Sequence, residues 1–544
     1  MSRMTGGEAL VAALVAHGVD TVFGIPGTHN LEIYRHLAAQ RVRHVGTRHE
    51  QGAGYAADGY ARTTGRPGVA VVTSGPAVLN AAAAIGQAYS DSVPVLLVSP
   101  GMPLRHPGLG NGLLHETKDQ AGALAAVAAA SIRATSVSGI PVAVAQAFAT
   151  MTAGRPRPVH LEVPLDVLAE TGEAVIAAPV PLPVPVAPAA QLAAAADRLA
   201  AAARVAIIAG GGARGAAEEV RLLAERLGAP VVTTTNGKGV LAEDHPLALG
   251  AGVHLPAVRD LVQESDVVLA VGTELAPADL WNGPLPLAGR LVRLDVDPVA
   301  VVTNAVPDVA VVGDAAASLR ELVKRVPERV RGEDAAARWR DRTRADARAE
   351  GAEWLPIVDA LASALPRDAV VAADSAMICY YGALANLPAH APSAFLYPTG
   401  YGTLGYGLPA AVGAKVAHPD RPVVALLGDG GVMFTVAELA TAAALGIALP
   451  VVVVDNGGYG EIRNEMADRD DPVHSVTLPS PDFATLGRSL GCHGVAVTDV
   501  TQLPQALTVA LAADRPTVIH VHHEHVHHEH VHHEHVHHEQ GTKI

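Results

Sequence analysis

Two short stretches in the C-terminal third of the chain gather residues able to hold a hard cation. Gly428-Asp429-Gly430-Gly431 offers a carboxylate in a glycine turn, and Asp455-Asn456-Gly457-Gly458 offers a carboxylate, an amide oxygen and flexible glycine carbonyls. Mg2+ prefers such oxygen donors and fills the rest of its octahedron with water and phosphate oxygens. Taken singly, each stretch is ordinary turn chemistry, because Gly-Asp-Gly and Asn-Gly runs are frequent turn formers. The pairing says more. Asp429 and Asn456 lie 27 positions apart, with a complete strand–helix–strand pattern between them.

The flanking sequence explains how the two stretches would meet. The apolar run 422–427 reads as a buried strand, residues 435–445 as a helix, and the apolar run 449–454 as a second strand ending at Asp455. A right-handed parallel crossover places both strand ends on one carboxyl edge, where open α/β sheets bind ligands. The same alternation fills the rest of the chain. In residues 1–174, strands are expected at 21–24, 44–47, 68–73, 93–99 and 158–163, with Ala-rich helices at 80–90 and 142–153. Residues 175–190 are dense in proline (Pro179, Pro181, Pro183, Pro185, Pro188) and read as a stiff linker. A second α/β unit is expected over 191–325, a charged and solvated connector over 326–353, and a third unit over 354–520. The fold class expected is therefore α/β, with three successive doubly wound parallel-sheet domains, one architecture used three times. Residues 521–544 carry a His- and Glu-rich repeat of period five. A low-complexity tail with opportunistic affinity for Zn2+, Ni2+ or Cu2+ is favoured there over a single closed metal site.

Composition narrows the function classes. At 544 residues the chain exceeds one core, and 49% hydrophobic with 17% charged residues suits a large buried enzyme. A net charge of −15 argues against a nucleic-acid partner. Cys379 and Cys492 are the only cysteines, so no disulfide framework is expected. No signal-peptide core or membrane-length apolar run is visible, and the expectation is a cytoplasmic protein with no membrane partner.

Further stretches bring in a known family. Arg48-His49-Glu50-Gln51-Gly52 precedes Ala57-Asp58-Gly59-Tyr60-Ala61-Arg62; Gly24-Ile25-Pro26-Gly27-Thr28-His29 lies upstream, and Thr73-Ser74-Gly75-Pro76 with Asn80 downstream. Gly400-Tyr401-Gly402-Thr403-Leu404-Gly405-Tyr406-Gly407-Leu408-Pro409-Ala410-Ala411 precedes the metal stretch. Together with Gly428-Asp429-Gly430 and Asn456, these resemble the thiamine-diphosphate enzymes, in particular the acetolactate synthase and benzoylformate decarboxylase group. Departures from the group's pattern are Ala77 for a second glycine, Leu404 at the usual Met, and Asp455 for the first of two asparagines. The resemblance implies pyrimidine-binding, central and diphosphate-binding domains, with thiamine diphosphate and Mg2+ as cofactors. It assigns Asp429, Asn456 and the backbone of Gly458 to the metal, and Glu50 to the N1′ atom of the aminopyrimidine. It assigns Gly402 to the 4′-amino group and Leu404 to the wedge between the cofactor's rings. Thr73, Pro76, Asn80, Gly428, Gly430, Gly431 and Tyr459 count with the cofactor-binding residues. It also implies a homodimer or homotetramer with active sites at the subunit interface. In the central unit, Gly210-Gly211-Gly212-Ala213-Arg214-Gly215 is a formal dinucleotide turn, but no acid ends the next strand, so FAD is admissible and not favoured.

The group's chemistry begins with ylid attack on a 2-oxo acid and loss of its carboxylate. The resulting enamine is then protonated, or it attacks a second carbonyl. Acetolactate synthases place Phe-Gln-Glu where this chain has Leu114-His115-Glu116, and hydrophobic sequence where it has Glu461. The loop Leu113-Leu114-His115-Glu116-Thr117-Lys118-Asp119-Gln120 and the run Gly458-Tyr459-Gly460-Glu461-Ile462-Arg463 look more like the 2-ketoarginine decarboxylase branch. Glu461 would serve as proton donor or as counter-charge to a cationic substrate tail. His29 and His115 are candidate proton-transfer groups, or else hydrogen-bonded loop residues. The expected function is non-oxidative decarboxylation of a small 2-oxo acid by a lyase, with acetolactate synthase-type carboligation by a transferase as the alternative. An inactive cofactor-binding paralogue with a metal-handling tail is the remote alternative, disfavoured because Glu50 is present.

Overall fold

The structure is a computed structural model that describes residues 2–106, 110–329 and 333–523. The tail from 524 onward lies outside the described residues. Three six-stranded sheets follow one another along the chain, every strand pairing parallel to its neighbours. Their strands are nearly continuous apolar runs, such as Val205–Ala209 and Val423–Gly428, because helices cover both faces.

Strand order separates the three units. In the first sheet the order is Arg43–Gly46, Thr21–Gly24, Gly68–Val71, Val95–Gly101, Val159–Pro164, Ala130–Arg133. In the third it is Phe395–Leu396, Val370–Ala373, Val423–Gly428, Pro450–Asp455, Thr517–His522, His493–Val497. Numbered within each unit, both run 2-1-3-4-6-5. The central sheet, Ala248–Ala251, Val231–Thr233, Val205–Ala209, Val267–Val271, Leu291–Asp295, Val309–Val312, runs 3-2-1-4-5-6. The expectation of one architecture used three times is thus corrected to one used twice around a different one. Alternating apolar runs report that strands and helices alternate, but not which edge each crossover returns to.

Two further expectations change. The 326–353 connector is not fully solvated, since the helix Glu333–Glu350 buries Ala336, Trp339, Thr343 and Ala347. Its charges occupy the outer face. The tail does not begin at 521, because the last strand continues through His522, with Val521 buried and laddered to Val454. A strand missed in the sequence, Ser2–Thr5, pairs antiparallel with Thr171–Ala174 and ties the two ends of the first unit together.

The first and third units share one hydrophobic core, running from Phe23 and Tyr55 through Leu408 to Leu427 and Val451. The central unit has its own. At the junction, the helix Glu50–Thr64 lies directly on the helix Gly407–Ala417. A Cβ on Gly59 would stand 2.2 Å from the Ala410 carbonyl oxygen, and one on Gly413 would stand 1.9 Å from that of Ala56. Glycine is required here by backbone-to-backbone approach. Beside this crossing, buried Arg62 donates to Asp58 (2.7 Å), to Asp91 (2.8 Å) and to Asn236 of the central unit (2.8 Å). Asp58 also accepts from Tyr406 of the third unit at 2.7 Å. One guanidinium joins all three domains.

Adding one methyl group at Gly59 should therefore part the helices. Gly59→Ala is expected to lower the thermal midpoint by several degrees, corresponding to roughly 1–3 kcal/mol of overpacking. Gly154→Ala, where a Cβ meets nothing within 4 Å, should leave it unchanged in the same calorimetric comparison.

Candidate active site in two halves

The C-terminal half is a cavity of about 290 Å3 at the carboxyl edge of the third sheet. It is lined by Gly402, Leu404, Gly428–Gly431, Asn456 and Gly458 through Glu461, together with Met377, Tyr380 and Trp354. Strand Val423–Gly428 ends in a turn that begins a short helix at Asp429, and strand Pro450–Asp455 delivers Asn456 beside it. Asp429 is buried, and its Oδ2 accepts from the Gly458 amide at 2.6 Å and from Ser480 at 3.2 Å. The ring of Tyr459 lies where a side chain on Gly430 would be, 2.8 Å from its Cβ position.

One end of the Asn456 side-chain amide lies 3.1 Å from Asp429 Oδ1 and 3.0 Å from the Gly458 carbonyl oxygen. With its nitrogen there the amide donates to both oxygens; with its oxygen there the three form a set of hard donors. With Mg2+, adjacent oxygens of an octahedron of about 2.1 Å radius stand about 3.0 Å apart. This donor set fits Mg2+ by chemistry and by spacing. Burial, then the nearby Asp455 charge, pushes the Asp429 carboxyl above its ordinary range. A bound dication would relieve both.

Asp374 was not singled out in the sequence, and it fastens a loop whose residues line the cavity. It is fully buried at the end of strand Val370–Ala373, and its carboxylate accepts from the amides of Ser375 (2.8 Å) and Gly405 (2.9 Å). Those bonds hold the loop that carries Gly402, at φ +63°, and half-buried Leu404. Burial pushes Asp374 up to about 6 despite the amides. An acid closing an apolar strand was the available signal.

Glu461 sits in the first turn of the helix Gly460–Asp468 and faces the same cavity. It accepts a 2.9 Å hydrogen bond from Tyr381, on a π-helical turn at Ile378–Ala383. Such turns occur frequently at functional sites.

The N-terminal half gathers Glu50, His29, Thr73, Pro76, Asn80 and His115, none of which lines that cavity. Glu50 opens its helix and accepts from the Asn80 amide at 2.9 Å. The helix start is positioned from the other domain: Glu438 accepts from the amides of Arg48 (3.1 Å) and His49 (3.0 Å). Tyr55, one turn on, shares a 2.5 Å hydrogen bond with Thr403. His29 Nδ1 lies 2.6 Å from the Ser74 hydroxyl, which is 3.3 Å from His115 Nδ1. Burial, then the neighbouring His115, lowers the pKa of His29. His115 has a left-handed backbone, φ +63°, of the kind that clusters at functional sites in non-glycine residues. Its carbonyl would lie 2.6 Å from a Cβ on Gly75. The buried Thr73 hydroxyl has no hydrogen-bond partner among the described residues. Pro76 begins the helix Pro76–Ser90 and is exposed.

Gln120, also missed, ties this half together. It accepts from the Gly75 amide at 2.7 Å and donates to Ser99, Pro100 and Glu162. Ser99 and Ser131 in turn hold buried His160 at 2.8 and 2.7 Å.

A larger cavity, about 680 Å3, opens at the carboxyl edge of the central sheet beside Gly211 and Gly212. The amides of Gly210, Gly212 and Ala213 all donate within the fold, so those three are not free to cradle a pyrophosphate. An Arg155–Glu274 ion pair, 2.7 Å, lies along its wall.

The chain is similar to known proteins over most of its length. The sequence model of the thiamine pyrophosphate enzyme N-terminal binding domain matches residues 4–126. Those of the central and C-terminal binding domains match 192–322 and 378–521. A protein named probable 2-ketoarginine decarboxylase from Pseudomonas aeruginosa is 45% identical over 529 residues, covering 96% of this chain and 94% of that protein. The acetolactate synthase large subunit of Parasynechococcus marenigrum is 36% identical over 549 residues, covering 95% and 87%. A probable acetolactate synthase large subunit from Methanocaldococcus jannaschii is 32% identical over 553 residues, covering 95% and 92%.

His160 makes this half sensitive to acid. Burial lowers its pKa to about 4. The unfolded chain takes up that proton near pH 6.5, so the stabilisation is full above pH 6.5 and is lost as pH falls toward 4, by about 3 kcal/mol. Calorimetry across this range should show a shallower fall in the thermal midpoint for His160→Gln than for the parent.

Proposed function

The chain belongs to the thiamine pyrophosphate enzymes, and from that premise we propose that it decarboxylates, without oxidation, a 2-oxo acid with a cationic side chain of the 2-ketoarginine kind. The observation that carries the choice is Glu461, a carboxylate facing the cavity of the metal loop and held by Tyr381. A guanidinium on a five-carbon acid would meet it as a charge-assisted pair. The similarity to the Pseudomonas aeruginosa protein supports the same substrate class.

Each half of the site has its task. Asp429, Asn456 and the Gly458 carbonyl would hold Mg2+, with Gly428, Gly430, Gly431 and Tyr459 shaping the turn around it. Leu404 would wedge between the cofactor's two rings, and the Gly402 carbonyl would accept from its 4′-amino group. Thr73 and Pro76 line the pyrimidine side. Glu50, aimed by Asn80, is the carboxylate that would hydrogen-bond N1′ of the aminopyrimidine. When bound, thiamine diphosphate supplies the electron sink that takes the pair left by departing carbon dioxide. Ser74 links His29 and His115 into a short relay that can pass a proton, and burial lowers the pKa of His29. No step requires the flavin.

Because Glu50 and its neighbours do not line the cavity of their own chain, we assign the complete site to a homodimer or a dimer of dimers, the N-terminal half of one copy closing on the C-terminal half of another. Exposed Leu31, Leu79, Leu113 and Leu114 support an interface there. Both cysteines are buried and unpaired, in keeping with a reducing cytoplasm. Among the described residues no helix is long and apolar enough to cross a membrane. Carboligation of pyruvate to acetolactate is the second reading, favoured by the synthases among the relatives.

Pure protein supplied with thiamine diphosphate and Mg2+ should release carbon dioxide and an aldehyde from 2-ketoarginine. Acetolactate from pyruvate, with 2-ketoarginine untouched, would reverse the assignment. Glu461→Gln should lower kcat/KM for 2-ketoarginine roughly 10- to 100-fold, the worth of one hydrogen bond to a charged group, and spare an uncharged 2-oxo acid. Glu50→Gln should abolish turnover while thiamine diphosphate still binds, measured by calorimetric titration.

A further inference from the structure

The unit His-Val-His-His-Glu occurs four times in succession between residues 520 and 539. Of its first copy, His520, Val521 and His522 belong to the last strand. Strand Thr517–His522 contains His520 and His522, whose spacing of two puts both imidazoles on the same face. The parallel ladder pairs His522 with Asp455, the last residue of the neighbouring strand. One ligand atom each from Asp455, His520 and His522 lies within 4.8 Å of the others. Asp455 Oδ2 is 3.0 Å from His520 Nε2 and 4.0 Å from His522 Nδ1, and the two rings stand 4.1 Å apart.

These separations bracket the spacing of about 3.4 Å between two ligands on a tetrahedral Zn2+ with bonds near 2.1 Å. A salt bridge to Asp455 would need only one histidine. A second imidazole beside the first suits a cation held between them. His520 and Asp455 are buried while the His522 side chain is 48% exposed, so the cluster opens to solvent on one side. Two nitrogens and one carboxylate oxygen prefer Zn2+, Ni2+ or Co2+ over Mg2+.

We propose that Asp455, His520 and His522 form a second cation site, specific for transition-metal dications and separate from the oxygen-lined Mg2+ site. The carboxylate of Asp455 divides its oxygens between the two. Oδ1 accepts from the Gly457 amide (3.0 Å) and from Ser480 (2.7 Å), bracing the cofactor loop, while Oδ2 faces the imidazoles. The departure from asparagine at position 455 thus gains a purpose, since an amide oxygen is a weaker ligand than a carboxylate. His523 takes no part; it bonds Glu353 at 3.0 Å and lies on Trp354. The proposal is independent of which 2-oxo acid is used, and the three remaining copies of the unit are not needed.

The test is a Co2+ titration, followed by visible ligand-field absorption, in a large excess of Mg2+ to fill the oxygen site. A chain ending at His523 should bind one equivalent of Co2+, displaced by Zn2+, and His522→Ala should weaken that binding at least about tenfold. In the full-length chain, where the other repeats also bind, His522→Ala should remove one equivalent, and the zinc-edge anomalous peak should disappear from Asp455 and His520. Equal binding by parent and His522→Ala in the full-length chain, or a folded chain ending at His523 that binds no Co2+, would overturn the proposal.

Discussion

The contact between the helices Glu50–Thr64 and Gly407–Ala417 is the constraint on which both halves of the site depend. Their backbones meet where Gly59 and Gly413 leave no side chain between them. Close approach brings Arg62 within reach of Asp58, Asp91 and Asn236, so a fully buried guanidinium finds two carboxylates and an amide oxygen. A buried charge is tolerated only with such compensation, and losing one partner typically costs about 3–5 kcal/mol. The crossing therefore does not slide. Glu50 begins one of these helices, and the loop of Gly402 and Leu404 immediately precedes the other.

Smaller ties carry that rigidity to the reacting groups. Glu438 reaches across from the third domain to cap the helix of Glu50, and Asp374 fastens the loop of Leu404 with backbone amides. Both carboxyls are raised by burial. The metal loop is held differently, by Ser480 bridging Asp429 and Asp455. Four acids, Glu438, Asp374, Asp429 and Asp455, hold loops in place, each through donors supplied by the loop or its close neighbours. This preorganisation costs nothing at the moment of reaction.

Much of the candidate site was readable from local pattern. Asp429 and Asn456 stood out because strand ends in a parallel crossover share one edge, a rule that needs no long-range information. Glu461 stood out because, five residues past Asn456, it replaces the hydrophobic sequence of acetolactate synthases. The Tyr381 hydroxyl that holds it is 80 residues away, and the Ser74 hydroxyl between His29 and His115 is 45 and 41 residues from them. Nothing in spacing announces such partners. The same limit applies to the fold. Alternating apolar runs showed three α/β units, yet the different strand order of the central sheet rests on which edge each chain segment returned to. The buried face of the helix Glu333–Glu350 was masked by its many charges.

By itself, the sequence determined the secondary-structure alternation, the chemistry of the strand-end loops and the family to which they belong, because each follows from residues close in the chain. Tertiary structure alone decided which donors converge. It set the Asn456 amide beside the oxygens of Asp429 and Gly458, and it left Glu50 outside the lining of the C-terminal cavity. It also drew His520–His522 into strand, where ladder register brought two imidazoles beside Asp455. Convergence of this kind depends on sheet order, register and helix crossing, which are set by burying apolar surface across the whole chain rather than by any local run of residues.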